Sequence, residues 1–376
     1  MLGDLGADVI KVERNSGGDQ SRSWGPPFLG TESAYFLATN RNKRSLTLNY
    51  DHPLGSQILQ RLLATADVFI CNQPVQKSLE KRSIDAATLR ALHPRLIYCS
   101  ITGYGFSGPK AGQPGYDILA QAEAGVMSFT GEPDGGPMRF PIAIADMTTG
   151  MYAAMGILAA LYARERTGQG DYLDMALFDS QLTWLANVGS SYLNCGASPV
   201  RWGNAHPNIV PYQLFRGNDG RYFVVGVGTQ QQWVRLVKIL ALESLAVDPR
   251  FRANPDRIRN REQLIPLLQA KFDTRASGEW LEALVKADIP AAAIHTVGEA
   301  LSDPQTVARG LVVELEHPTL EAARSIANPM RFQRQPIVYR LAPPLLGEQS
   351  GAILRELKFS ESEIQIAMTE ACTARK

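Results

Sequence analysis

The sequence lacks the features that mark several large classes of protein. Its 376 residues hold four cysteines with no CxxC spacing, so we expect neither a disulfide framework nor a structural zinc site, and we expect a reducing, cytoplasmic compartment. Lys and Arg number 38 and Asp and Glu 37, which is not the positive excess that a general nucleic-acid binder needs. No run of about 18 apolar residues occurs, so we expect no membrane span.

Motifs for bound cofactors are also missing. The five histidines show no ligand spacing, so we predict no metal site. Gly103, Gly105 and Gly108 spell GxGxxG, but Pro109 and Pro114 follow and prevent a helix from starting at the glycines, as a dinucleotide turn requires. Neither a GxxxxGK[ST] loop nor a GxSxG elbow is present. We therefore expect no tightly bound cofactor.

Strands and helices alternate along the first half of the chain. The patterns predict strands at 8–12, 44–48, 68–71, 95–101, 140–145 and 172–178, and helices at 55–66, 84–92, 116–127 and 148–164. This order predicts an α/β fold with a parallel sheet. Later segments predict a hairpin at 213–227 and three helices, which indicate a smaller α+β domain. We assign 1–195 to the large domain, 196–306 to a linker and the small domain, and 307–376 to a return to the large domain.

Asp146 is the residue that points most directly to chemistry. It follows the predicted strand 140–145 and precedes a long apolar helix, and a carboxylate in that place occupies the usual active position of an α/β fold. The alternative is a helix N-cap, and the two roles are compatible. Tyr116 and Asp117, which open the helix after the glycine-rich loop, are a second candidate, again with capping as the alternative.

Several segments together match one family. LGDLGADVIKVER, NRNKRSLTL, HPRLIYCSITGYG, PGYDILAQA, IADMTTGMYAAMGILAAL and TGQGDYLDMAL occur in an order and spacing that resemble the class III CoA-transferases. The resemblance implies a Rossmann-like large domain with an inserted smaller domain, and an interlocked homodimer. Members of this family usually begin with a strand before the first of these segments, and we expect that strand to be missing from domain 1–195.

The resemblance implies a covalent mechanism with Asp146 as the nucleophile. A carboxylate with an ordinary pKa of about 4 is ionised at neutral pH and attacks a thioester without a general base. Mixed anhydrides and an aspartyl-CoA thioester then carry CoA from donor to acceptor, with a CoA thioester as substrate. SRSWGPPFLGTES, RWGNAHPNIVPYQLF and VVGVGTQQQW are most similar to the branch of the family that uses succinyl-CoA and glutarate. We therefore expect succinyl-CoA as donor and a dicarboxylate as acceptor.

Further site residues follow from the same resemblance. The expected CoA contacts are Arg14, Leu48 and Lys81, with Leu48 in the adenine pocket. Tyr116 and Asp117 match the pair near the thioester. The segment 203–209 matches a mobile loop over the site, and its expected substrate contacts are Gly203, Asn204 and His206. On charge alone we add Arg139 and Arg201 as a clamp for the acceptor carboxylate.

Two alternatives stay open at this point. The racemases of the family use a His just before the acidic residue that follows the glycine-rich loop, and this chain has Tyr116 there. A racemase acting on 2-methylacyl-CoA would therefore lack its second acid or base. The other alternative is a homologue that binds CoA without catalysis.

Overall fold

The structure is a computed structural model and describes residues 1–372. The chain divides into two compact units. The large unit comprises Met1–Ala124, Pro141–Trp184 and the chain from Leu301 onwards, and the small unit comprises Gly125–Phe140 and Leu185–Ala300. The large unit thus draws on both ends of the sequence. The small unit starts earlier than the expected residue 196 and includes a segment from within the predicted large domain.

Twelve strands form within the described residues. They are β1 (Val9–Glu13), β2 (Phe28–Leu29), β3 (Glu32–Ser33), β4 (Lys43–Thr47), β5 (Val68–Cys71), β6 (Ile97–Thr102), β7 (Tyr172–Ala176), β8 (Tyr212–Arg216), β9 (Tyr222–Gly226), β10 (Ala291–Ala293), β11 (Val312–Leu315) and β12 (Ala323–Ile326).

Sixteen α-helices form in the same range. They are α1 (Ala34–Thr39), α2 (Pro53–Thr65), α3 (Gln76–Lys81), α4 (Ala86–Leu92), α5 (Asp117–Glu123), α6 (Ile144–Thr167), α7 (Leu177–Thr183), α8 (Ala186–Cys195), α9 (Gln230–Ile239), α10 (Asn254–Arg259), α11 (Arg261–Phe272), α12 (Ser277–Lys286), α13 (Val297–Ser302), α14 (Pro304–Ala308), α15 (Ser350–Glu356) and α16 (Glu361–Glu370). Short 3-10 turns lie at Gln20–Ser23, Val126–Ser128 and Glu243–Ala246.

Parallel strands organise the large unit. β1 pairs with β4, and β5, β6 and β7 form a second sheet in that order, with every one of these pairs parallel. Parallel neighbours need a crossover, and in the chain α1 lies between β1 and β4, α3 and α4 lie between β5 and β6, and α6 lies between β6 and β7. Five of the six residues of β6 are buried, as expected for a strand covered on both faces. The α/β fold class is confirmed.

One predicted element is wrong. Residues 140–143 form no strand, and α6 begins at Ile144. The run FPIAIA alternates in the way a strand does, but an apolar run this short does not separate a strand from the first turn of a helix. Several short helices, among them α1, α3, α10, α13 and α14, and the C-terminal helix α16 were not predicted.

Helix α6 spans 24 residues and has the length and hydropathy of a membrane-crossing helix. Its buried positions include Ala153, Ile157 and Ala160, which pack with Ile97 and Cys99 of β6. The helix ends at Gly168, whose φ of 69° is the left-handed conformation that glycine adopts most readily. Because one face of α6 covers the sheet, we assign this helix to the core of the large unit.

The small unit is built on an antiparallel sheet. β8 and β9 form the predicted hairpin, and β10 pairs with the other edge of β9. The turn closes where the Gly217 amide donates to the Arg221 carbonyl. Phe215, Phe272 and Trp280 are each at most 2% exposed in its core, with ring centroids 4.7 Å apart between Phe215 and Phe272.

Candidate active site

Asp146 lies in the first turn of α6, three residues after the N-cap position Ala143. The sequence placed it at the end of a strand, and that placement is wrong because no strand precedes it. The alternative N-cap role is also wrong, since the cap position is Ala143, which has no side chain able to cap. The Asp146 side chain is exposed and sits at the positive end of the helix dipole. It is therefore open to a substrate.

A distant residue supplies the missing cap. Asp117 Oδ1 accepts a hydrogen bond from the Ala145 amide at 2.7 Å, and its Oδ2 accepts one from Gln121 Nε2, also at 2.7 Å. Asp117 is 9% exposed. The capping role predicted for this residue is thus present, but it serves α6 rather than its own helix α5. Both carboxylate oxygens of Asp117 accept hydrogen bonds. Asp117 therefore positions the first turn of α6, which carries Asp146, rather than attacking a substrate.

The two carboxylates also interact through their charge. Desolvation and, after it, the negative charge of Asp117 raise the pKa of Asp146 to about 6. This differs from the ordinary value of about 4 that the sequence suggested. Asp146 is still mostly ionised at pH 7, and its higher basicity makes it a stronger nucleophile than an ordinary aspartate. Ala120, Ala145 and Leu177 hold α5, α6 and α7 together beneath this pair.

The glycine-rich loop brings Asp117 to its place. Its two ends cross so closely that a Cβ on Gly115 would lie 2.2 Å from the Gly103 Cα. Inside the loop, Thr102 Oγ1 accepts from the Gly105 amide at 2.8 Å, and Asp174 Oδ2 accepts from the Phe106 amide at 3.0 Å. As predicted, no helix starts at these glycines. These hydrogen bonds hold the loop in place, and the loop ends where α5 starts.

Tyr116 occupies the N-cap position of α5 and makes no side-chain cap bond there. Its side chain is 59% exposed, directly before the buried Asp117. The structure therefore brings the three predicted catalytic residues together at the adjoining ends of α5 and α6.

The sequence did not single out Tyr35, whose pKa the two carboxylates affect, or Trp24, which packs on Tyr35. Desolvation raises the pKa of Tyr35, and the charges of Asp146 and Asp117 raise it further. Trp24 packs edge-on against that ring, with centroids 4.9 Å apart and planes at 77°. The only sequence signal was the segment SRSWGPPFLGTES, in which Trp24 stands.

The predicted CoA contacts have different environments. Arg14 and Lys81 are exposed, and neither forms an ion pair within residues 1–372. The Leu48 side chain is fully buried in the core of the large unit. Asp51 forms an ion pair of 2.9 Å with Arg82.

The remaining predicted residues belong to the small unit. Arg139 is exposed. Arg201 donates from Nε to the Glu132 carbonyl at 3.2 Å and from Nη1 to the Ser128 carbonyl at 3.4 Å. These bonds fasten Arg201 to the segment 125–140, which is part of the same unit.

The predicted mobile loop 203–209 is partly held by hydrogen bonding. Gly203 and Asn204 are exposed, whereas Arg261 Nη2 donates to the His206 carbonyl at 2.8 Å.

Among the described residues, no group of three or more His, Cys, Asp or Glu side chains could hold a metal ion.

Comparison with known proteins places this geometry in context. The model of CoA-transferase family III matches residues 1–350. The chain is 41% identical to the succinyl-CoA:glutarate CoA-transferase of Mus musculus, over 97% of this chain and 83% of that protein. It is also 41% identical to the succinate–glutarate CoA-transferase of Agrobacterium fabrum, over 96% of this chain and 91% of the relative.

Solved structures agree. A CAIB/BAIF family protein from Brucella suis is 42% identical in sequence and superposes with a TM-score of 0.84, covering 95% of this chain and 93% of the other. A structure of Rv3272 from Mycobacterium tuberculosis is 29% identical, with a TM-score of 0.81, and covers 94% of this chain and 92% of the other.

Proposed function

The chain belongs to CoA-transferase family III, and we propose that it moves CoA from succinyl-CoA to a dicarboxylate such as glutarate through Asp146. The names of the Mus musculus and Agrobacterium fabrum relatives support this donor and acceptor. The observation that carries the role of Asp146 is its geometry. It is an exposed carboxylate on the first turn of α6, and the buried Asp117 holds that turn in place.

The first half of the reaction loads the enzyme. The Asp146 carboxylate attacks the thioester carbonyl of succinyl-CoA, the C–S bond breaks, and CoA leaves as a thiolate. The product on the enzyme is a mixed anhydride of Asp146 and succinate. The thiolate then attacks the aspartyl carbonyl of the anhydride, which releases succinate and leaves an aspartyl-CoA thioester.

The second half reverses these steps with the acceptor. A carboxylate of glutarate attacks the aspartyl thioester and displaces the CoA thiolate, which forms a second anhydride. The thiolate attacks the glutaryl carbonyl, so that glutaryl-CoA forms and the Asp146 carboxylate is regenerated. Each step exchanges one activated acyl bond for another, and the thioester is conserved.

The binding residues enter this proposal with different support. Arg14 and Lys81 are exposed cations suited to CoA phosphates. Leu48 would offer its backbone rather than its buried side chain to the adenine. Arg139 and Arg201 remain our proposed clamp for the acceptor carboxylate, with the loop 203–209 next to Arg201 in the sequence.

An isotope-exchange experiment tests the proposed chemistry. Wild-type protein should exchange label between free succinate and succinyl-CoA without glutarate, because the first half-reaction is reversible. Hydroxylamine added after succinyl-CoA should convert Asp146 to a hydroxamate that mass spectrometry detects. Asp146→Asn should abolish both signals. Asp179→Asn is the matched control, since Asp179 is an exposed acid in the first turn of α7.

A second incubation distinguishes the proposed transfer from the racemase alternative. A 2-methylacyl-CoA kept in D₂O without an acceptor acid should gain no deuterium at its α-carbon. Deuterium uptake with no exchange of labelled succinate would contradict the proposed transfer reaction. CoA binding without either reaction would point to the non-catalytic homologue.

A homodimer is the second part of the proposal. Met147, Met151, Met155, Leu158 and Tyr162 of α6 are 53, 46, 53, 45 and 63% exposed. Their spacing of four, four, three and four residues places them on one face of the helix. A contiguous apolar stripe of this length is unusual on a monomer and is typical of an interface. We propose that a second copy of the chain covers it.

A further inference from the structure

Helix α5 carries a polar side chain that is completely buried. Gln121 of this helix is 0% exposed, although glutamine is mostly found at protein surfaces. Burying an amide costs free energy unless its polar atoms find hydrogen-bond partners. Gln121 Nε2 donates to Asp117 Oδ2 at 2.7 Å, across four positions of the same helix, which is about one helical turn. Because this bond is shielded from water, it is stronger than an exposed one.

The other oxygen of the Asp117 carboxylate reaches helix α6. Asp117 Oδ1 accepts from the Ala145 amide at 2.7 Å. The last side-chain torsion of an aspartate has no sharp preference, so the plane of its carboxylate needs an outside contact to set its direction. Gln121 provides that contact at Oδ2, and because a carboxylate is planar, Oδ1 is directed as well. The Gln121 amide therefore selects the orientation in which Asp117 caps α6.

Asp146 is the next residue of the turn that Asp117 caps. The N-cap residue Ala143 makes no side-chain hydrogen bond to this turn, so the Ala145 amide relies on Asp117 for its partner. Helix ends fray, and a capping side chain limits this. Two hydrogen bonds therefore connect Gln121 to the residue directly before Asp146, and all of these residues belong to the large unit.

We infer that Gln121 is a positioning residue for the transfer reaction, which orients the Asp117 carboxylate and thereby holds the turn of α6 that carries Asp146. This inference rests on the proposed function. Gln121 acts through Asp117 and not by contact with a substrate. A nucleophile that moves by a fraction of an ångström aligns less well with the thioester carbonyl, so loss of the Gln121 amide slows the reaction more than it weakens substrate binding. The competing interpretation is that Gln121 only fills space between helices.

Steady-state kinetics of glutaryl-CoA formation distinguish the two interpretations. Gln121→Met keeps an unbranched side chain of similar length but removes the amide. We expect its kcat to fall about tenfold while its KM for succinyl-CoA changes less than about twofold. Gln181→Met is the matched control, because Gln181 of α7 is 1% exposed and its amide atoms have no hydrogen-bond partner within residues 1–372. It should keep the wild-type kcat and KM, and equal losses in both variants would show that Gln121 only fills space.

A double-mutant cycle shows whether the effect passes through Asp117. Asp117→Ala removes both hydrogen bonds at once. Adding Gln121→Met to Asp117→Ala should therefore leave kcat within about twofold of the single variant, because residues that act through one contact are not additive. A further tenfold loss in the double variant would refute the path through Asp117.

Gln121→Glu serves as the test if Gln121→Met does not fold. The glutamate has the length of the glutamine, but it forms a hydrogen bond with Asp117 only while the two carboxyl groups share a proton. Its kcat relative to wild type should therefore rise as the pH is lowered from about 8 to about 6, and a constant ratio would overturn the inference. If wild-type protein transfers no CoA, the proposed function fails, whereas wild-type transfer with unchanged Gln121 variants rejects only the role of Gln121.

Discussion

At the scale of single residues, the most informative feature is Asp146, a carboxylic acid whose ionised form the folded protein disfavours. The pKa of Asp146 is raised to about 6 by desolvation and by Asp117. Only the ionised carboxylate attacks a thioester, so kcat/KM for succinyl-CoA should fall as the pH drops through about 6. Asp117→Asn removes the neighbouring charge and should move this acid limb to lower pH, by up to about one unit. A pH–rate profile of both proteins checks this, and an acid limb that stays in place in Asp117→Asn would contradict it.

The same group predicts an effect on stability. The folded-state pKa of Asp146 lies above its unfolded value of 3.8, so the folded protein favours the protonated form. The associated stability is present below about pH 4 and is lost as the pH rises through 6. Asp146→Asn stays neutral and should therefore melt higher than wild type at pH 8, by roughly 2 °C after allowance for solvent screening of this exposed group.

Differential scanning fluorimetry at pH 4.5 and pH 8 measures the effect of Asp146→Asn. The difference from wild type should be smaller at pH 4.5, where Asp146 is largely protonated in the folded protein. Asp179→Asn is the control and should show no such pH dependence. A variant that is less stable than wild type at pH 8 would refute the assigned electrostatics.

What the sequence could predict at this scale was limited to residues with local motifs. Asp146 and the pair Tyr116–Asp117 stand beside helix starts and a glycine-rich loop. These are local sequence patterns, formed by residues close together in the chain. The bond from Asp117 to the Ala145 amide joins residues 28 positions apart, so no local pattern contains it. The electrostatic effect of Asp146 on the pKa of Tyr35 joins residues that are farther apart still in the sequence.

At the scale of elements, the crossing of the glycine-rich loop leads to a prediction. Gly115→Ala would place a Cβ 2.2 Å from the Gly103 Cα, so the two backbone segments must separate. That displacement moves the start of α5, and with it the Asp117 carboxylate that caps α6. We expect loss of more than about 2 kcal/mol of stability together with most of the transfer activity, measured by denaturant unfolding and glutaryl-CoA formation.

A second glycine in the same loop is the control for Gly115→Ala. Gly108 has a φ of +81° and no atom within 4 Å of an added Cβ. Gly108→Asn suits this left-handed conformation better than most replacements, so it should retain both stability and activity. Equal damage in the two variants would show that the loop as a whole is sensitive, rather than the crossing at Gly103.

Elements with clear apolar patterns were predictable, whereas the start of α6 and the shortest strands were not. The strands near 9–13 and 43–47 and the long helix α6 have strong periodic patterns. The start of α6 was misread as a strand because its cap lies on another segment, so the usual Ser, Thr, Asp or Asn is absent at Ala143. The two-residue strands β2 and β3 are too short to carry any periodicity.

At the scale of the whole molecule, the sequence predicted a large unit assembled from both chain ends. Its boundaries depended on a change in composition near residue 195, whereas the small unit begins at Leu185 and also includes Gly125–Phe140. The segment 125–140 was expected to stay in the large domain. It joins the small unit through contacts such as the bonds from Arg201 to the Glu132 and Ser128 carbonyls, which are tertiary and lie outside local sequence.

The last prediction concerns the apolar stripe of α6, which is exposed to water in a single chain. In the proposed dimer, a second copy of the chain buries these side chains. Burying one Met or Leu side chain contributes about 1.5–3 kcal/mol, so Met155→Glu, at the centre of the stripe, should weaken a dimer by at least that much. Light scattering after size-exclusion chromatography should give the mass of two chains for wild type and of one chain for this variant at micromolar concentration. Val247→Glu, at an isolated residue that is 76% exposed, should remain dimeric. A dimeric Met155→Glu variant, or a monomeric wild type, would show that this face of α6 does not bind a second copy.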